Sequence, residues 1–158
     1  MKKYLFTFLI AIVTGFFLSY IFINQYNDFN GITVSKTVEN VYFIQYGVFS
    51  SLESMEKETI TLTNYIYSKI DDMYFVYVGI TKNSDNANKI INYYKNLGYE
   101  TIIKKYQIAN NTFLQILDNY DKVLLETDDS TTISSLINQV LIEYEKEEIN
   151  GQNKGHSS

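Results

Sequence analysis

The side chains that most often carry covalent chemistry are scarce in this chain. It has one histidine, His156, near its C-terminal end, and neither cysteine nor arginine. Without cysteine there is no thiol nucleophile, thiolate metal site or disulfide. No nucleophile elbow, phosphate loop or metal-ligand spacing appears, and no cofactor is implied. Asp71-Asp72 and Asp128-Asp129 read as turns rather than metal sites, and Asn110-Asn111-Thr112 fits a glycosylation acceptor no better than chance. The expectation is a protein that is not an enzyme. What the residues can offer is non-covalent recognition, through aromatic planes and side chains that give directional hydrogen bonds. In the strand-like stretch from Val41 to Phe49, alternation puts Phe43, Gln45 and Gly47 on one face and Tyr42, Ile44 and Tyr46 on the other. A second such stretch divides into Met73, Phe75 and Tyr77 against Tyr74, Val76 and Val78. Phe43, Phe75 and Tyr77 supply stacking planes, and Gln45 supplies both donors and acceptors.

The elements that position these residues are set by an internal repeat. At a spacing of 32 residues, Tyr42, Phe43, Ile44, Gly47 and Val48 are answered by Tyr74, Phe75, Val76, Gly79 and Ile80. The following helical stretches obey the same shift, with Met55 matching Ala87 and Leu62 matching Tyr94. Two copies are too few for a solenoid and predict one closed domain. The order is βαββαβ, and right-handed crossovers with the third strand splitting the first unit give a four-stranded antiparallel sheet with both helices on one face. The fold class is α+β, RNP-like, with the second sheet face left open. The first helix is expected to open on Ser50 as N-cap with Glu53 completing a capping box, and to bury Leu52, Met55, Leu62 and Ile66. The second starts at Ser84, buries Ala87, Ile90, Ile91, Tyr94 and Leu97, and stops at Gly98. Thr101 to Tyr106 closes the sheet.

Tyr42-Phe43-Ile44-Gln45-Tyr46-Gly47-Val48-Phe49-Ser50 resembles the first-strand signature of the SPOR (sporulation-related repeat) domain, in which an aromatic and a hydrophobic residue precede Gln-x-Gly-x-Phe. The second copy is similar to that family's second half, through Val76-Tyr77-Val78-Gly79, Ala87 and Leu97-Gly98-Tyr99. The resemblance covers roughly 41–106. It implies binding of peptidoglycan glycan strands that lack stem peptides, with contacts at Gln45, Met73, Phe75 and, on the last strand, Ile103. The expected site is therefore Phe43, Gln45, Met73, Phe75, Tyr77 and Ile103.

Around this domain, 1–26 reads as a cytoplasmic N-terminus and transmembrane helix. Tyr4 to Tyr26 carries no charge and is long enough for the roughly 20 apolar residues that a bilayer needs. The bulky end of that run, Ser19-Tyr20-Ile21-Phe22-Ile23, does not suit a signal-peptide cleavage site. Lys2 and Lys3 precede the run and no lysine follows until Lys36, so the positive-inside rule puts the N-terminus in the cytoplasm and the remainder outside the cell membrane. Residues 27–40 read as a polar tether. Residues 110–148 form a C-terminal helical hairpin from two apolar stripes, joined at Asp128-Asp129-Ser130. The first is Phe113, Ile116, Leu117, Tyr120, Val123 and Leu124; the second is Ile133, Leu136, Ile137, Val140, Leu141 and Tyr144. Its default position is against the domain, with another copy of the chain or a partner helix as the alternatives. Residues 149–158 read as a disordered tail.

The net charge of −5 becomes −7 once Lys2 and Lys3 are set aside, leaving 11 lysines against 18 acidic residues. Such a surface repels polyanions, so nucleic acid is not an expected partner despite the RNA-recognition-like topology. Two functional classes follow. One is a single-pass, membrane-anchored module that binds glycan strands during cell division or sporulation. The other is an envelope scaffold whose sheet face is filled internally and whose C-terminal helices bind a partner protein.

Overall fold

The structure, a computed structural model, describes residues 38–154, with side chains through residue 148. The anchor expected in 1–26, most of the tether and His156 lie outside the described residues. The elements run β1 (Glu39–Phe49), α1 (Leu52–Thr59), β2 (Ile66–Ile70), β3 (Met73–Thr81), α2 (Ser84–Asn96), β4 (Ile102–Ile108), α3 (Asn111–Glu126) and α4 (Ser130–Lys154). The protein is α+β, with one four-stranded antiparallel sheet in the order β2-β3-β1-β4. This is the arrangement that a split βαβ repeat dictates. No helix among the described residues is long and apolar enough to cross a membrane.

Local chemistry explains most boundaries. β1 begins at Glu39, inside the stretch read as tether, because Glu39 and Asn40 pair with Ile108 and Gln107 of β4. The N-cap of α1 is Ser51, not Ser50: its hydroxyl accepts from the Ser54 amide at 3.1 Å. α1 is also shorter than its apolar spacing predicts. The run Thr59-Ile60-Thr61 is β-branched and stiff at χ1, and the Thr59 hydroxyl bonds back to the Met55 carbonyl at 2.9 Å. Leu62 is buried in the connection that follows, and Ile66 belongs to β2. Asp71 and Asp72 form the β2–β3 turn, both with positive φ, 49° and 61°, as a two-residue turn matched to strand twist requires. α2 ends as expected at Gly98, whose φ of 87° favours a residue without Cβ.

Two bulges break the alternation. The pairing of β1 with β3 shifts between Ile44 and Gln45 and again between Gln45 and Gly47. Tyr46 and Val78 are the residues skipped, and Gly47 comes to pair with Val76 rather than sharing the face of Gln45. The two repeat-related glycines then serve different contacts. A Cβ on Gly47 would lie 2.8 Å from the tip of the Phe49 ring, which folds back over it; one on Gly79 would lie 2.9 Å from Ile90 Cγ2. Gly79 thus lets α2 close on the sheet face that carries Ile44.

The C-terminal hairpin packs on the domain rather than standing apart. Phe113, Leu114, Leu117 and Leu124 of α3 and Ile133, Ile137, Val140 and Leu141 of α4 join the core. Val123, expected in the stripe, is exposed instead. A buried carboxylate fastens α3 to the β3–α2 junction. Asp121 accepts from the Thr81 hydroxyl, from the Lys82 amide at 2.8 Å and from Asn86 Nδ2 at 2.9 Å. The Lys82 ammonium bridges Asp118 at 2.7 Å and Glu39 at 2.6 Å. β2 pairs with only Met73 to Tyr77, so among the described residues Val78–Thr81 have no strand on that side; α4 packs against β3. The helical backbone of α4 continues to Lys154, past the point where a tail was expected.

Candidate functional site

Register assigns each expected site residue. Phe43 and Gln45 on β1 and Met73, Phe75 and Tyr77 on β3 share one face, because Gln45 pairs with Tyr77 and Val48 with Phe75 across the bulges. Ile103 does not share it. It pairs with Ile44, on the face that α2 covers; the β4 residues facing the site are Ile102, Lys104 and Tyr106, opposite Gln45, Phe43 and Val41. The unbroken β1–β4 register sets this phase, and nothing in the composition of β4 reveals it.

The face is not open at its centre. Phe43, Gln45 and Tyr77 are 3%, 5% and 4% exposed. Phe43 is the hub of an aromatic cluster, with edge-to-face contacts to Tyr77 at 5.3 Å, Tyr106 at 5.1 Å and Tyr144 of α4 at 5.4 Å. Tyr144 also meets Phe113 at 5.2 Å, which ties both hairpin helices to this cluster. The Tyr77 and Tyr106 hydroxyls share a 2.8 Å hydrogen bond. Burial, reinforced by that bond, pushes the Tyr77 phenol well above its ordinary range; burial does the same at Tyr144, with help from the bond to Glu148. Tyr106 and Tyr144 were missing from the expected site. Tyr144 lay in plain view in an apolar stripe, but a stripe does not name the surface it packs on.

At the other end of the face, past the reach of Tyr144, a strip remains accessible. Ile102 of β4, Val48 of β1 and Ile70 of β2 are 52%, 38% and 49% exposed, and Met73 and Phe75 of β3 are half-buried between them. All four strands contribute. Gln45 lies at the inner margin of the strip, next to Ile102 and Tyr77 in register. Its Oε1 is buried with no hydrogen-bond partner.

No family model, no curated protein and no solved structure matches this chain.

The chemistry open to the strip follows from its residues. It has a flat aromatic ring, flexible thioether and aliphatic neighbours, and Lys104 on the same face of β4. Among the described residues no group of three or more His, Cys, Asp or Glu side chains could hold a metal ion. Such a surface suits contact with C–H faces, and the orphaned amide oxygen of Gln45 is the directional acceptor nearest to it.

Proposed function

We propose that this chain is a non-enzymatic, membrane-anchored module that binds peptidoglycan glycan strands lacking stem peptides, as its likeness to the SPOR signature implies. It would act outside the cytoplasm in division or sporulation. The observation that carries this reading is the uncovered apolar strip, to which every strand of the sheet contributes. An exposed patch of this kind marks a binding surface. A sugar hydroxyl reaching the margin of the strip would also relieve the unpaired Gln45 oxygen, whose burial without a partner costs about 1–3 kcal/mol. The binding positions are accordingly Met73, Phe75, Val48 and Ile102, with Gln45 behind them. Phe43 and Tyr77 act through the aromatic cluster that stiffens the sheet.

Sedimentation of the full chain with purified sacculi tests this. Binding should increase after an amidase has removed the stem peptides and should change little as salt is raised, because an acidic, arginine-free protein gains nothing from counterion release. Phe75→Ala removes the stacking plane, worth about 1 kcal/mol, and should weaken binding roughly fivefold. If Phe75→Ala folds and sediments like the parent, the sheet is not the binding face. The burial of Phe43, Gln45 and Tyr77 favours a second reading in that event, an envelope scaffold whose filled face supports a hairpin that binds a partner protein.

A further inference from the structure

A second surface, more polar than the sheet strip, lies away from it. Two adjoining clefts, of about 710 and 220 Å³, share Tyr93, Leu97 and Ser134 in their walls and make up a groove between α2 and the start of α4. Its size is in the range of ligand sites. Along one wall α2 presents Asn88, Asn92 and Asn96, all exposed and spaced four residues apart, hence on one helical face. They span about 12 Å of helix axis, the length of a short chain of sugars rather than of one. Ser130, Thr131 and Ser134 line the opposite wall, and Thr61, Thr63 and Asn64 close the far end.

The lining selects a class of ligand. Each asparagine offers two donors and an acceptor, and each hydroxyl offers both, which is the mixed inventory that sugar hydroxyls need. Asparagine is a poorer helix former than alanine, so helix stability does not account for this row. Among the described residues the groove has no free cation to hold an anion. The one ammonium in it, Lys89, donates to the carbonyls of Leu124 at 3.0 Å, Leu125 at 3.2 Å and Thr127 at 2.7 Å, where it caps α3, and pairs with Asp128. Asp85 and Asp128 add negative charge, so phosphorylated and carboxylated ligands are disfavoured. Tyr93 is half-buried, and its ring is fixed edge-to-face against Tyr94 at 5.1 Å, which makes it a platform already in place for a sugar ring. An extended peptide would look for a free sheet edge, and this groove, walled by helices and the α1–β2 connection, has none.

We propose that the groove between α2 and α4 binds a neutral oligosaccharide through Asn88, Asn92, Asn96 and Tyr93. This site does not depend on the sheet strip. The test is titration of the isotopically labelled full chain with chitotetraose and, separately, cellotetraose, following the side-chain amide resonances of the three asparagines. At least one of the two sugars should shift them in a saturable way. Replacing Asn88 and Asn92 together by alanine should weaken that binding at least tenfold and leave the melting temperature unchanged or raised, since alanine favours the helix. Phe75→Ala should leave the titration as it is. If neither sugar moves the asparagine resonances, the inference fails. It also fails if penta-alanine moves them and the sugars do not, which would mark a peptide groove. If Phe75→Ala abolishes sugar binding and the asparagine variant does not, the inference fails and the sheet strip is the only site supported.

Discussion

Asp121→Ala probes how the hairpin is held. Three donors converge on the carboxylate, and each loses something different. The Lys82 amide is left with no partner. Asn86 Nδ2 keeps the Asp121 backbone carbonyl at 2.9 Å, and the Thr81 hydroxyl keeps a weaker acceptor, the Asn83 carbonyl, at 3.4 Å. Hydrogen bonds to a charged group are worth about 1.5–3 kcal/mol each, so one complete and two partial losses come to about 3 kcal/mol. Alanine returns about 0.5 kcal/mol of helix propensity in α3. The expected net loss, about 2.5 kcal/mol, is a large share of the 5–15 kcal/mol typical of a domain. Urea unfolding of the full chain should show a midpoint roughly 1 M lower. Hydrogen exchange should quicken at Lys82 before it does so in β1. Asp118→Ala is the control. It removes the half-exposed one of the ion pairs of Lys82, which keeps Glu39, and should cost under about 1 kcal/mol. Equal midpoint shifts for the two variants would refute the view that the buried carboxylate is the fastening.

Two further outcomes follow from packing and burial. Gly79→Ala places a methyl 2.9 Å from Ile90 Cγ2, and a β-branched side chain in a helix cannot easily turn aside; thermal unfolding should register a loss of about 1–3 kcal/mol, and an unchanged melt would show that α2 shifts freely. Tyr77, Tyr94 and Tyr144 have phenol pKa values raised chiefly by burial. Their contribution to stability is therefore complete below the ordinary tyrosine pKa near 10 and is lost as pH climbs through the higher folded values. Absorbance titration should show a group of tyrosines that ionise only as the protein unfolds, whereas reversible ionisation of all of them near pH 10 would contradict the burial.

The sequence carried the topology in a form that could be read, because the 32-residue repeat matches residues of like size at like positions. Asp71-Asp72 and Gly98 marked a turn and a helix end through backbone chemistry that few other residues satisfy. The candidate site was less legible. Strict alternation misplaced Gly47, since a bulge depends on how two strands meet and not on either strand alone. Ile103, assigned by resemblance, has the wrong phase because it pairs with Ile44, and which β4 residues fall opposite β1 depends on how the two strands meet. The apolar spacing through Leu62 and Ile66 looked helical, yet both are buried as expected, one in a connection and one in a strand. Which half of the face the hairpin would cover could not be read, because the stripe of Ile133 to Tyr144 specifies apolar contact and no address.

The unequal lengths of β2 and β3 have a consequence beyond the site. From Val78 to Thr81 the outer side of β3 carries backbone N–H and C=O groups that no strand among the described residues pairs, in a segment that is fully apolar until Thr81. A free edge of this composition is a template for another chain. α4 packs on β3, so the hairpin guards the protein against its own copies. A chain truncated before Asn110 would then fail by edge-to-edge assembly before it failed by unfolding. Its sheet would stay intact and would grow.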